Sequence, residues 1–261
     1  MVPKSLVKHL LALRVSLTSA KLTWVRSFLE AGKGVGAIST VMEKTLGRYR
    51  TGQSRSQDLD EDILLECLRC LRGLANTDIG LPVVTSSPGL ISRIAYSLRT
   101  ENDKLRNFAA ELLAGLCVVS ESLRAVVLLA FDDFKAYYQE QQRFEYLVAS
   151  LIGTYRQGLG IVPFSDYKNP VASYEYKTSA MTLINAIISN AEALTERVAL
   201  REEFWHRGLA DMVKKLRPNA PPNLLVQLDI HDEEMEEDLK EASETGILQG
   251  SARFMTVGAS P

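Results

Sequence analysis

The sequence contains little of several residue types, and each scarcity excludes a class of protein. Three cysteines among 261 residues are too few for a disulfide-stapled scaffold, so we expect reduced thiols. The longest uninterrupted apolar run, 125–131, has seven residues, whereas a membrane-spanning helix needs about 20. Aromatic residues make up 7% of the chain, and glycine and proline are modest in number. Because β-branched runs between turn residues are also scarce, the composition favours an all-α protein.

The net charge of -2 conceals an uneven distribution of charge along the chain. Residues 229–244 hold nine acidic residues and one lysine, so the remaining residues carry 29 Lys and Arg against 23 Asp and Glu. An acidic segment on a mildly basic body argues against general nucleic-acid binding and is compatible with a basic protein partner. The alternative is that this segment is only the solvated end of a helix.

Helical periodicity runs through most of the chain. Leucines recur every three to four residues from Leu6 to Leu17 and predict one apolar helix face. The segment 60–77 is apolar on more than one side, which predicts a helix buried between neighbours.

The sequence predicts one helical domain with an inserted loop and a C-terminal tail. We predict a helix over 143–157 and an inserted loop over 158–176, where Gly, Pro and Tyr are frequent. One helical domain is expected over 1–245. The segment 246–261 has small residues and no period, which predicts a flexible tail.

Three apolar segments resemble one another and indicate an internal repeat. Residues 70–76 align with 112–118 at an offset of 42, and 112–118 align with 182–188 at an offset of 70. Repeats of about 40 residues built from two or three helices are typical of armadillo and HEAT proteins. We therefore predict an all-α, armadillo/HEAT-like right-handed superhelix of about four to five helical repeats, with a concave peptide-binding surface.

Catalytic and metal-binding motifs are weak in this sequence. Cys67 and Cys70 form a CxxC pair, but no second pair or nearby histidines complete four metal ligands. The glycines of 32–36 lack the spacing of a phosphate-binding loop, and no GxSxG motif is present. We predict no enzymatic activity, no metal and no cofactor.

Two asparagines stand out, because Asn is a poor helix former and is costly to bury without a partner. Asn76 and Asn185 are each predicted to lie in a helix otherwise built of Leu, Ile and Ala. One interpretation is that they bind neighbouring helices within the stack. The other is that they face the groove and bind the backbone of a ligand.

Five motifs, in the same order along the chain, resemble the armadillo region of diaphanous-related formins. They are Leu13-Arg14-Val15-Ser16-Leu17-Thr18-Ser19 with Trp24-Val25, Cys70-Leu71-Arg72 with Asn76 and Gly80, residues 110–117, residues 183–188, and Val226-Gln227-Leu228 before the acidic helix. Each motif alone is weak, but five in sequence are fairly specific. The insertion and the acidic end are more similar to fungal members than to animal ones.

The resemblance implies a diaphanous inhibitory domain, part of the GTPase-binding and FH3 unit. In that family an amphipathic autoregulatory helix from the C-terminus lies in the concave groove, and a Rho-family GTPase displaces it. By the family pattern the groove residues are Arg72, Asn76, Leu112, Gly115, Val118, Thr182 and Asn185. The GTPase-contact residues are Val15, Thr18, Ser19 and Ala20. The acidic patch for the basic end of the helix is Glu233, Glu234, Glu236, Glu237 and Asp238.

The resemblance thus predicts a regulatory module of the cytoplasm, cytoskeleton and cell cortex that controls actin filament nucleation. Its expected partners are a Rho-family GTPase and the autoregulatory segment, with no nucleic acid and no insertion into membranes. The sequence departs from the family where Gly115 replaces a common Ala and Thr182 a common Gln. The family's actin-binding and dimerisation regions are missing, so we expect no nucleation by this chain itself. The alternative is a generic armadillo or HEAT peptide-binding adaptor unrelated to formins.

Overall fold

The computed structural model describes residues 3–30, 33–53, 56–152, 154–157, 160–163 and 170–247. The chain divides into two compact units, Met1–Leu113 with Val126–Gln139, and Ala114–Ala125 with Glu140–Pro261. The helices within the described residues are α1 (Pro3–Ser19), α2 (Leu22–Glu30), α3 (Gly34–Arg50), α4 (Gln57–Ala75), α5 (Gly80–Ser86), α6 (Leu90–Tyr96), α7 (Asp103–Val119), α8 (Glu121–Tyr138), α9 (Glu145–Ala149), α10 (Pro170–Ser189), α11 (Leu194–His206), α12 (Leu209–Leu216) and α13 (Pro222–Glu244). Short 3-10 turns follow α9 and α12.

The first unit is built around α4. Helices α1, α3 and α5 pack against it, and its side chains Ile63, Leu64 and Leu68 are fully buried. Helix α1 packs against α4, and Leu10 and Leu17 on the apolar face of α1 are buried. Both the buried helix and the leucine face were predicted by the sequence pattern, because burial on several sides requires apolar residues on several sides.

The core of the second unit is α10, which packs against α11 and α13. Its side chains Met181, Leu183 and Ile184 are fully buried. The guanidinium of Arg124, whose side chain is 1% exposed, lies between Glu121 and Glu196. A cation so deeply buried is stable only when its charge is paired, and this pairing ties the start of α8 to α11.

The connection between α9 and α10 differs from the predicted structure. It contains an antiparallel hairpin of β1 (Thr154–Gln157) and β2 (Gly160–Pro163), whereas 143–157 was predicted to be helical and 158–176 to be a loop. The β-branched and aromatic residues of these strands prefer extended backbone. Helix α10 begins within the predicted loop at Pro170, since proline at the first helical position sacrifices no hydrogen bond. The other elements of the described ranges are helical, which confirms the all-α prediction.

Two further sequence-based expectations concern membranes and the C-terminus. Among the helices of the described residues, none combines the length and hydropathy needed to cross a bilayer. Of the predicted tail, 246–261, only Gly246 and Ile247 lie within the described residues.

Candidate partner-binding surfaces

The residues predicted to contact a GTPase lie at the C-terminal end of α1. Val15 is 58% exposed, Thr18 and Ser19 are also exposed, and Ala20 is half-buried. The hydroxyls of Thr18 and Ser19 donate to the Val15 carbonyl oxygen at 3.0 and 2.7 Å. The two hydroxyls thus have acceptors within the helix, and the isopropyl group of Val15 forms the exposed apolar surface of this segment.

Three further exposed apolar side chains near this segment were not predicted as contacts. Leu11 is 37% exposed and lies one turn before Val15 on the same face of α1. At the start of α2, Leu22 is 56% and Trp24 is 41% exposed. The sequence does contain a signal for Leu11. It lies four residues before Val15 and outside the buried leucine face, so the two side chains share a second face of the helix.

Two predicted groove residues, Arg72 and Asn76, lie at the C-terminal end of α4 in the first unit. Arg72 is exposed, and its Nη1 donates to Glu111 Oε2 at 3.1 Å, with its guanidinium 5.0 Å from the Phe108 ring. The sequence predicts that Asn76 lies inside a helix. In the structure it is instead the C-cap of α4, and it is exposed. Its position at a helix end explains how an asparagine is tolerated there, because Asn competes with helical hydrogen bonding.

Helix α7 carries three of the predicted groove residues. Leu112 is half-buried, whereas Gly115 is exposed and Val118 is 64% exposed. A Cβ added to Gly115 would meet no atom within 4 Å. Gly115 therefore exposes helix backbone to solvent, and neither it nor Val118 has a buried packing role in the second unit.

Helix α10 supplies the remaining groove residues, Thr182 and Asn185. Thr182 is half-buried, and its hydroxyl donates to the Thr178 carbonyl oxygen at 2.9 Å. Asn185 is 6% exposed, and its Nδ2 donates to the carbonyl oxygen of Gln227 at 2.9 Å and to Gln227 Oε1 at 3.3 Å. The amide nitrogen thus binds the neighbouring helix α13, in agreement with the interpretation that Asn185 binds neighbouring helices within the stack.

The other half of the same amide is not paired. Asn185 Oδ1 is buried and accepts no hydrogen bond from the described residues. An unpaired buried acceptor costs about 1–3 kcal/mol of stability. The structure thus leaves this oxygen as an unused hydrogen-bond acceptor.

The predicted acidic patch on α13 is divided between exposed and internally paired carboxylates. Glu233, Glu236 and Glu237 are exposed. Asp238 is buried and accepts from the Nε atoms of Arg197 and Arg201 at 2.7 and 2.6 Å.

Glu234 is half-buried and also has internal partners. It accepts a hydrogen bond from the Ser189 hydroxyl and lies 3.9 Å from Arg201 Nη2. Three of the five predicted carboxylates are thus exposed and form no ion pair with the part of the chain that the structure describes.

The cysteines are packed in the interior. Cys67, Cys70 and Cys117 are buried free thiols. Burial raises the pKa of each, and the pKa of Cys70 and of Cys117 reaches about 12. Thiols with such pKa values carry almost no thiolate at neutral pH, so they are not nucleophiles. Within the described ranges no group of side chains is arranged to hold a metal ion.

Two family models match the chain in succession. The Diaphanous GTPase-binding Domain matches residues 2–118, and the Diaphanous FH3 Domain matches residues 124–249. The chain belongs to the diaphanous formin family. The matches confirm the family predicted from the five motifs, and the alternative of an adaptor unrelated to formins is wrong.

Individual relatives agree with this assignment. The chain is 31% identical over 235 residues to Formin-F of Dictyostelium discoideum, covering 88% of this chain and 17% of the relative. It is 30% identical over 229 residues to Inverted formin-2 of Xenopus tropicalis, covering 88% of this chain and 15% of the relative. This chain thus spans less than a fifth of the length of these relatives.

A solved formin structure has the same fold. The crystal structure of E. histolytica Formin1 bound to EhRho1-GTPgammaS matches with a TM-score of 0.67 and 14% identity, covering 93% of this chain and 79% of that chain. The likeness confirms the armadillo-like fold that was predicted from the repeats.

Proposed function

We propose that this formin segment is a regulatory module that binds a GTP-loaded Rho-family GTPase through the C-terminal half of α1. The observation that carries the proposal is the exposed apolar face of α1, where Val15 is 58% and Leu11 is 37% exposed. Apolar side chains that share an exposed helix face are typical of interaction sites. The face lies within the residues matched by the Diaphanous GTPase-binding Domain, and a formin of the same fold has been crystallised with a Rho protein.

Substitution of Val15 by aspartate tests the GTPase interaction. A carboxylate placed in an apolar contact would be buried without a partner, so Val15→Asp should weaken binding of GTPγS-loaded Rho at least about tenfold. Binding is measured by isothermal titration calorimetry, with GDP-loaded Rho as the nucleotide control. Leu129→Asp is the matched control variant, since Leu129 is a 62% exposed apolar residue on α8 of the same unit. Wild-type affinity of Val15→Asp, or equal losses in both variants, would contradict the proposal.

We further infer that the module binds the C-terminal autoregulatory helix of its own formin. In the second unit, Gly115 and Val118 offer open surface, and Asn185 Oδ1 offers an unpaired acceptor. An amphipathic helix needs apolar contacts and a few polar anchors. Glu233 and the other exposed carboxylates of α13 would attract a basic segment flanking such a helix.

The regulatory mechanism that follows is competition between two partners. A GTPase that lowers the affinity for the autoregulatory helix is itself bound less tightly when the helix is present, because linkage is reciprocal. Release of the helix would then permit actin filament nucleation by other regions of the formin. We place this regulation in the cytoplasm at the cell cortex and the actin cytoskeleton.

Substitution of Gly115 by aspartate tests the autoregulatory interaction. The added Cβ meets no atom within 4 Å, so Gly115→Asp should leave the fold intact while it places a charge where a helix would approach. The affinity for a peptide of the cognate C-terminal segment should fall at least about tenfold. Gly36→Asp is the control, since Gly36 is an exposed helical glycine with equally open space.

Two results would overturn this second proposal. Unchanged peptide affinity of Gly115→Asp would show that the helix does not approach α7. Simultaneous binding of the peptide and GTP-loaded Rho at full affinity would refute the competition. Either result leaves the test of Val15 unaffected.

A further inference from the structure

A small cavity of about 250 Å³ opens among α3, α6 and α8 in the first unit. Its lining includes Leu46 on α3, Ser92 and Tyr96 on α6, and Asp133 and Tyr137 on α8, and we call these five residues the tyrosine pocket. The tyrosine pocket shares no residue with the surfaces proposed for the GTPase or the autoregulatory helix. Its function is therefore a separate question.

The aromatic wall of the pocket is held in place by stacking. The rings of Tyr96 and Tyr137 are nearly parallel, with an interplanar angle of 9° and centroids 4.2 Å apart. The guanidinium of Arg50 lies 4.7 Å from the Tyr137 centroid and adds a cation–π contact to the same ring. Leu46 beside them is 2% exposed. The pocket is thus formed before any ligand enters, which lowers the entropic cost of binding.

The rim of the pocket holds a fixed and neutral ion pair. Arg93 Nη2 lies 2.9 Å from Glu43 Oε2, and Arg93 Nη1 donates to the Pro88 carbonyl oxygen at 3.1 Å. Gly89 leaves room for this arrangement, because a Cβ there would lie 2.8 Å from Arg93 Nη1. Since Glu43 and Arg93 form an ion pair, the two residues together add no net charge to the pocket.

Asp133 supplies a carboxylate that is not neutralised. It accepts a hydrogen bond from the Ser92 hydroxyl at 2.6 Å, but no lysine, arginine or histidine of the described residues forms an ion pair with it. Burial, and next the charge of Asp133, raises the pKa of Tyr96 to about 12. The Tyr96 hydroxyl therefore stays protonated at neutral pH, and its oxygen can accept a hydrogen bond from a cation.

We propose that the tyrosine pocket binds the guanidinium of an arginine side chain from a partner protein. The lining carries one unpaired negative charge, which a single monovalent cation neutralises. Its volume lies below the range of roughly 300–1,000 Å³ typical of sites for drug-sized ligands, and its carboxylate would repel the phosphates of a nucleotide. A guanidinium presents several fixed donors, which match the carboxylate of Asp133 and the hydroxyl oxygens around it.

A titration of the isotopically labelled chain with capped arginine tests the pocket. The probe is Nα-acetyl-L-arginine N-methylamide, and the matched neutral ligand is the citrulline analogue of the same shape. Saturable shifts in the NMR signals of Tyr96, Tyr137 and their neighbours are expected, with a dissociation constant of about 1 mM for so small a ligand. Asp133→Asn should weaken binding at least about tenfold, since a charge-assisted hydrogen bond is lost. Asp132→Asn removes the same charge one residue earlier on α8 and should bind normally.

Several outcomes would overturn the proposal. Equal shifts with the citrulline analogue would show that charge is not recognised, and equal losses in both aspartate variants would show only a general charge effect. Binding of free arginine but not of the capped form would indicate a metabolite site. The absence of saturable shifts would mean that the pocket binds no arginine side chain. Asp133 is exposed, so Asp133→Asn is expected to fold, and its thermal unfolding provides the check.

Discussion

Replacement of Asn185 by aspartate should damage the fold in a pH-dependent way, although the two residues have nearly the same shape. Asn185 is 6% exposed, and its Nδ2 donates to the Gln227 carbonyl oxygen at 2.9 Å. Aspartate exchanges this donor for a carboxylate oxygen that faces another acceptor. The variant therefore loses a hydrogen bond and buries a charge at one position.

The size of the effect follows from the surroundings of Asn185. A buried charge without a partner costs about 3–5 kcal/mol, whereas Asn185→Ala loses the two neutral hydrogen bonds to Gln227, each worth about 1 kcal/mol at most. Burial raises the pKa of the new carboxyl above its ordinary value of about 3.9. The folded Asn185→Asp variant then binds more protons than its unfolded chain, so its stability falls as the pH rises through this range. At low pH the protonated carboxyl can donate to the Gln227 carbonyl, and much of the loss disappears.

Urea unfolding followed by circular dichroism measures this dependence. Between pH 8 and pH 5 we expect the stability difference between wild type and Asn185→Asp to shrink from about 3 kcal/mol, while that of Asn185→Ala stays constant. A constant difference for Asn185→Asp, or equal stability of both variants at pH 8, would mean that water solvates the site. The same reasoning explains why Gly115→Asp is the better test of peptide binding, since lost binding in Asn185→Asp would be confounded with lost stability.

Two other predictions concern buried groups of the core. Arg124→Met should lower the free energy of unfolding by about 2 kcal/mol, because charge-assisted hydrogen bonds are lost while its half-exposed glutamate partners regain water. Glu196→Gln, which leaves the second glutamate in place, should cost less than about 1 kcal/mol; urea unfolding followed by circular dichroism measures both variants. The native chain should not react with iodoacetamide at neutral pH, since burial raises the thiol pKa values; labelling of Cys67, Cys70 or Cys117 without unfolding would show local opening.

The helices could be predicted because their apolar residues follow the helical period. The leucines of α1 repeat with that period, and the buried helix α4 is apolar on several sides. The hairpin β1–β2 was missed because four-residue strands are too short for a periodic signal to distinguish them from helix or loop. Family membership could be predicted as well, since the order of five weak motifs is more specific than any one of them.

The roles of single polar residues were harder to predict, because pairing depends on neighbours distant in sequence. Asp238 belongs to the same acidic run as Glu236 and Glu237, but Arg197 and Arg201 neutralise it from α11. No charge pattern within 229–244 distinguishes the buried carboxylate from its exposed neighbours.

Asn185 shows why the two interpretations of a buried amide need not exclude each other. Its nitrogen is bound to Gln227, as the structural interpretation requires, while its oxygen is buried and unpaired. The bond to Gln227 fixes the orientation of the amide, because rotation about χ2 would break it. An acceptor fixed in this way has no rotameric freedom to lose, so the proposed hydrogen bond from the autoregulatory helix would cost little side-chain entropy.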